Sequence, residues 1–400
     1  MHFHCTDVND AFLRLVKAFA DPMFQVRRSS SRVGDVLLID EPVIITYKRP
    51  LQRVLFNPWR DCNPFFHLFE SLWMLAGRND VAPLAYFNSK ISDIASDDGQ
   101  TFNGAYGYRW RHTETHYEGS GYDGGIVSTP IDQLAIIIDQ LKQKPDSRRC
   151  VLQMWNVEDD LLKIDKTRDC CCNTNVYFLI REAKIPHNWS PEKLQGKINQ
   201  EYEMAGLARQ DGDRTDEVRR YKLIEDYKAG YQDTRKYLDM TVCNRSNDLV
   251  WGCLGANVVH FSFLQEYMAA AIGVEVGYYH QVTNNLHVYT DRFEPDKWLQ
   301  DKPEWEPACY PTTMPLVVSP AQFDAEAKLF INSWDDDCWQ PTEPFLKMAR
   351  AYCKAFKWHK NRDYNLAYDF MGHVEAQDWY ITGLQWLKRR EEAWRQNHAN

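Results

Sequence analysis

The sequence has no apolar run of about 18 residues, and its first stretch, MHFHCTDVND, carries no charged-then-apolar leader. Neither a membrane span nor a secretory signal is expected, so the reading is a cytoplasmic protein without membrane contact. Eleven cysteines are present but none form a paired C-x-x-C. That absence argues against structural zinc, and thiols without a secretory signal are expected to stay reduced. Basic residues do not dominate, with 47 Lys and Arg against 56 Asp and Glu and a net charge of −9. A broad nucleic-acid surface is therefore disfavoured, whereas a small phosphate site made by a few arginines is not. No internal repeat is visible.

What is present is ordinary globular composition over 400 residues, 44% hydrophobic and 26% charged, enough for one large domain or two smaller ones. DVNDAFLRLVKAFA has Asp7 or Asn9 as N-cap before apolar residues at helical spacing. VLLI, PVIITY, VLQMWNV, VYFLIR, LDMTVCN and VEVGYYHQV read as strands, and so does GAYGYRWR. NPFFHLFESLWMLAGR and NVVHFSFLQEYMAAAIG read as long helices, the first apolar nearly all round and ended by Gly77. Glu70 inside it must be paired, protonated or lining a cavity. The order is α/β of the α+β kind, with a mostly antiparallel sheet. Two stretches look added: residues 183–236, charged with helical pattern, inside a domain spanning 1–340, and a helical carboxyl-terminal extension, 341–400, with Phe345, Met348, Tyr352 and Phe356 on one face. Its basic, Trp-bearing end, WLKRREEAWRQ, is expected to dock on the protein's own core.

The chemistry centres on Cys170, Cys171 and Cys172 in TRDCCCNTNVYFLI, which lie along the chain between PDSRR and NRSND. A thiol near fixed cations suits a nucleophile acting beside an anionic substrate. In order, FESLWMLAG, GAYGYRWR, PDSRR with VLQMWNV, the cysteine run, NRSND, GANVVHFSFLQEYMAA and NNLHVY resemble the thymidylate synthase family over about residues 10–291. The resemblance implies a large bent sheet flanked by helices, a homodimer, a pyrimidine nucleotide such as dUMP as substrate, and 5,10-methylenetetrahydrofolate as cofactor. It implies Cys172 as the nucleophile, six residues before Phe178. Cys171 stays in competition, because it stands where the family usually has proline. By matching motifs Arg148 and Arg149 bind the nucleotide phosphate from across the dimer, with Arg245 and Ser246 in cis and Arg28 a weaker candidate; guanidinium forks suit phosphate oxygens. His287 and Tyr289 match the pair that bonds the sugar, Glu70 the carboxylate that manages protons and water, Tyr106 the active-site tyrosine and Asp248 the folate-side carboxylate. Asn257 stands where asparagine selects uracil and aspartate cytosine, although WGCLGAN carries one residue more than the family's loop.

The same resemblance separates two outcomes for the methylene formed on the base: hydride gives dTMP and dihydrofolate, water gives 5-hydroxymethyl-dUMP and tetrahydrofolate. Synthases carry two tryptophans that exclude water where this sequence has Ile91 and Ile94, and no tryptophan occurs between Gly77 and Tyr108. The chain also ends RQNHAN in place of a short apolar sealing tail. Water addition is expected, of the kind used to modify phage DNA. Thymidylate synthase, a dCMP hydroxymethylase and a non-catalytic nucleotide-binding protein are the alternatives.

Overall fold

Strand β1 (His2–Cys5) places Cys5 inward, and Asp7 then starts helix α1 by accepting from the amides of Asn9 and Asp10. In this computed structural model all residues are described except 25, 32–33, 97, 119–125, 163–168, 187–231, 301–309 and 399–400. The described helices are α1 (Val8–Ala20), α2 (Pro64–Leu75), α3 (Val81–Phe87), α4 (Tyr106–Arg111), α5 (Gln133–Gln143), α6 (Asn257–Ile272), α7 (Pro295–Trp298), α8 (Pro320–Ser333), α9 (Pro344–Lys360), α10 (Tyr364–Met371) and α11 (Gln377–Asn397).

Six strands form the main sheet in the order β1, β4 (Val43–Tyr47), β11 (Glu275–Thr283), β9 (Gln232–Asn244), β8 (Asn173–Pro186) and β7 (Val151–Gln153). A second sheet runs β10 (Asn247–Asp248), β12 (Leu286–Tyr289), β3 (Asp35–Ile39) and β2 (Val26–Ser30), and β5 (Thr113–Glu118) pairs with β6 (Ile126–Ile131). Pairing is parallel between β1 and β4 and between β10 and β12, and antiparallel between β4 and β11, β3 and β12, β2 and β3, and β7 and β8. Alternation along β11 buries Gly277, Tyr279, Gln281 and Thr283.

Two strand expectations change. GAYGYRWR is the short helix α4: it packs so closely on the end of α2 that a Cβ on Gly107 would lie 2.0 Å from the Met74 carbonyl oxygen. In VLQMWNV only Val151–Gln153 stays in the sheet, because Asn156 then caps a π-helical turn over Val157–Leu161.

Residues 181–237 form a compact unit of their own, where Arg181 lies over the Tyr237 ring at 5.1 Å. The described ends of the charged stretch, 183–186 and 232–236, continue strands β8 and β9, and the helical pattern expected between them lies outside the described residues. In the larger unit, α2 and α6 are buried on almost every side, which is why apolar residues occur all round α2, while α6 also buries Asn257, His260, Ser262, Gln265 and Glu266. Gly273, at φ 89°, ends α6. The carboxyl-terminal helices lie on α2: the Phe65 ring stacks on Tyr352 at 4.2 Å and meets Phe356 and Trp386 at 5.5 Å. The basic end of α11 is anchored, with Arg389 and Arg390 bridging Asp61 at 3.1 and 2.6 Å. No described helix is long and apolar enough to cross a membrane.

Candidate active site

The three cysteines precede β8, and Arg245 follows β9, so neighbouring strand ends bring thiol and guanidinium together. The Arg245 side chain donates from Nε to the Cys171 carbonyl at 2.8 Å and from Nη2 to the Cys170 carbonyl at 3.3 Å, and Nη2 stands 3.9 Å from Cys172 Sγ. Its backbone amide donates to the Cys172 carbonyl at 2.9 Å. The guanidinium thus holds the cysteine loop by its backbone. Cys171 is fully buried, with Sγ 3.4 Å from the Gly104 carbonyl, whereas Cys172 is part-exposed. Burial pushes both thiols upward, Cys171 far more, and at Cys172 it outweighs the opposing pull of Arg245. Desolvation therefore outweighs the neighbouring cation at this thiol.

Tyr106, at the start of α4, shares a hydrogen bond with the Cys172 backbone, and burial raises its phenol well above the usual value. Asp248 sits in β10 beside His287 of β12 by register, and accepts from the Val250 amide at 2.9 Å and from the Trp251 amide. Burial raises its carboxyl, opposed by those amides and by His287. His287 and Tyr289 share one side of β12, with ring centroids 5.4 Å apart, and His287 Nδ1 bonds Asn285 Oδ1 at 3.0 Å. Asn257 opens α6, buried, donating to Asn247 Oδ1 at 3.1 Å. WGCLGA winds in π-helical turns over Leu249–Ala256, which take more residues per turn than an α-helix. Glu70 points from α2 to His260 of α6.

Cys172, Tyr106, Arg245, Ser246, Asp248, Asn257, His287 and Tyr289 therefore sit on adjoining elements. Three arginines stand apart from them. Arg28 is exposed on the edge strand β2, two strands from His287. Arg148 and Arg149 are exposed, and among the described residues their guanidinium groups pair with no carboxylate and bond none of this cluster. Arg149 lines a cleft with Gln153, Met154 and Trp155, and Trp155 with Arg245 lines the adjoining one.

Several participants were not legible in sequence. Arg109 and Asp160 form a buried pair beneath the cysteines, Asp160 Oδ1 standing 3.4 Å from the Cys171 amide. Asn173, next to Cys172, is fully buried, and among the described residues neither of its side-chain polar atoms has a hydrogen-bond partner. Trp251 is exposed at the Asp248 turn, with Arg60 4.4 Å above its ring. His260 follows Asn257 by three residues, a spacing that puts both on one helix face and could have marked it. No group of three or more metal-ligating side chains is found among the described residues.

A thymidylate synthase family model matches residues 63–201 and 224–315. The chain belongs to the thymidylate synthase family. A deoxyuridylate hydroxymethyltransferase of Pseudomonas phage M6 is 35% identical over 402 aligned residues, spanning 96% of this chain and 94% of that protein. Another of the same name from Bacillus phage SP01 is 33% identical, over 63% of this chain and 50% of its own length. A thymidylate synthase of Ascaris suum is 35% identical over 29% of this chain and 42% of its own length.

Proposed function

We propose that this protein converts dUMP, 5,10-methylenetetrahydrofolate and water to 5-hydroxymethyl-dUMP and tetrahydrofolate, in the cytoplasm of a bacterial host infected by phage. The observation that carries the choice of water is the segment Ser89–Ile94, where Ile94 is 43% exposed and no tryptophan stands. The rings of the carboxyl-terminal helices meet Phe65, Phe87 and Phe263 of the core.

The pocket's own groups fit an anionic nucleotide. Cys172 Sγ adds to C6 of the base, and its part-exposure beside Arg245 favours it over the sealed Cys171. Nucleotide phosphate brought to Arg245 and Ser246 is joined in a homodimer by Arg148 and Arg149 of the other subunit, which accounts for two exposed guanidinium groups lacking partners; Arg28 stands as an outer contact. His287 and Tyr289 hold the sugar hydroxyl, and Asn257 reads the uracil edge, its amide offering both a donor and an acceptor. Asp248 faces the folate, with Trp251 beside it. Bound 5,10-methylenetetrahydrofolate supplies the one-carbon unit. Glu70 manages the protons of the base and of water.

The test is a product assay with dUMP and 5,10-methylenetetrahydrofolate, following dihydrofolate by absorbance and the nucleotide by mass. We expect 5-hydroxymethyl-dUMP and no dihydrofolate. Stoichiometric dihydrofolate with dTMP would make the protein a synthase, and preference for dCMP would sink the assignment of Asn257.

A further inference from the structure

Helices α2 and α6 meet at an unusual polar spot inside an apolar interior. His260 Nε2 lies 2.9 Å from Glu70 Oε2, and the two residues are only 3% and 8% exposed. Yet Glu70 Oε2 and both ring nitrogens of His260 have no hydrogen-bond partner among the described residues, since the close contact is not aligned for one. Buried polar atoms are almost always satisfied, and three orphans around one point mark a seat for a small polar molecule. His67, one turn before Glu70 on α2, borders the same place; burial, then His260 and Arg60, hold its pKa down to about 3, so it stays neutral. His67 and Val259 also line a cavity walled by Trp379, Thr382 and Arg389 of α11. On the other side Asn257, one turn before His260, puts the seat beside the reading edge of the base.

We infer that His260 is a positioning residue for the water that adds to the base, acting through Glu70. This rests on the hydroxymethylase reading. At the start of the step the base carries Cys172 on C6 and an exocyclic methylene on C5. Water oxygen bonds to that methylene carbon, the electron pair of its double bond moves through C5 onto the C4 carbonyl as an enolate, and the water's proton passes to the Glu70–His260 pair. The enolate then re-forms the C5–C6 double bond as the C6–S bond breaks, releasing the Cys172 thiolate. His260 holds the water in line with the carbon and keeps the Glu70 carboxylate turned to it. Without His260 the methylene should form and then wait.

The experiment uses the full chain with His260→Ala and His260→Asn. With His260→Ala we expect the covalent complex with 5-fluoro-dUMP and 5,10-methylenetetrahydrofolate to form as in the wild type, and single-turnover tritium release from C5 of dUMP to stay within about threefold. Formation of 5-hydroxymethyl-dUMP should fall about 10²-fold, the scale of losing a positioned proton-transfer group. Added 2-mercaptoethanol should capture the waiting methylene as a thioether. His260→Asn, which still binds water, should recover part of the hydroxymethyl product. Three results each overturn the inference: product at the wild-type rate, tritium release and covalent capture falling in step with product, or a loss with no thioether in its place. A wild type that makes dTMP and dihydrofolate fails the underlying reading instead, before any substitution is made.

Discussion

The corner around Cys172 and the aromatic layer around Phe65 are built on opposite principles. At the corner, a cation is spent on backbone carbonyls, a thiol is raised by burial, and the neighbouring Asn173 amide has no hydrogen-bond partner among the described residues. In the layer, rings of α2, α9 and α11 meet at 4.2–5.5 Å, and the buried carboxylate of Glu343 accepts from the Val318 and Ser319 amides at 3.1 and 2.8 Å. Unsatisfied groups cost folding free energy, and the layer carries one as well, since among the described residues Trp386 Nε1 is buried without a hydrogen-bond partner; there the packing of rings offsets that cost, whereas the corner borders an open cleft at Trp155 and Arg245. The comparison teaches that the carboxyl-terminal helices serve as a brace for α2, whose middle turn presents Glu70.

Substitution should separate the two regions. The largest effect is expected at Cys172: Cys172→Ser should lower tritium release from C5-labelled dUMP by about 10³-fold or more, with the melting temperature unchanged, while Cys170→Ser stays near wild type. If Cys171→Ser alone abolishes release, the nucleophile is one residue earlier. In the layer the signs reverse. Phe65→Ala removes a fully buried ring and should cost about 3–5 kcal/mol in denaturant unfolding, with turnover per folded molecule little changed; a large activity loss at full folding would erase the distinction.

The smallest effect belongs to Asp378, which accepts from Tyr310 Oη at 3.2 Å at the start of α11. Burial raises its pKa to about 6, although Arg53 and the Trp379 amide favour the anion. A folded pKa above the unfolded value means that its contribution is fully present below about 4 and is lost as pH rises through about 6. Asp378→Asn, which cannot ionise, should therefore match the wild type in stability near pH 4 and exceed it by roughly 2–3 kcal/mol at pH 8. An equal margin at both pH values would show that the hydrogen bonds, not ionisation, govern this seam.

Much of this was legible because local chemistry and fold agreed. The cap of α1 at Asp7, the nearly all-round apolar α2, the long helix α6, the strand of Val43–Tyr47 and the single-faced α9 each follow from residue type and spacing. GAYGYRWR misled, since aromatic alternation suits a strand and only the close approach of Gly107 to Met74 makes a helix fit. WLKRREEAWRQ was legible in outcome but not in detail, because its partner Asp61 lies more than 300 residues away.

Sequence by itself determined the family, for ordered motifs preserve which side chains exist and roughly where each lies along its element. Only the tertiary structure decided that Leu249–Ala256 winds in π-helical turns, that Cys171 is sealed while Cys172 is part-exposed, and that His260 meets Glu70. Those outcomes depend on which elements pack together across long stretches of chain, and burial, which raises the Cys171 and Cys172 thiols and the Asp248 carboxyl, is a property of that packing and not of neighbours in sequence.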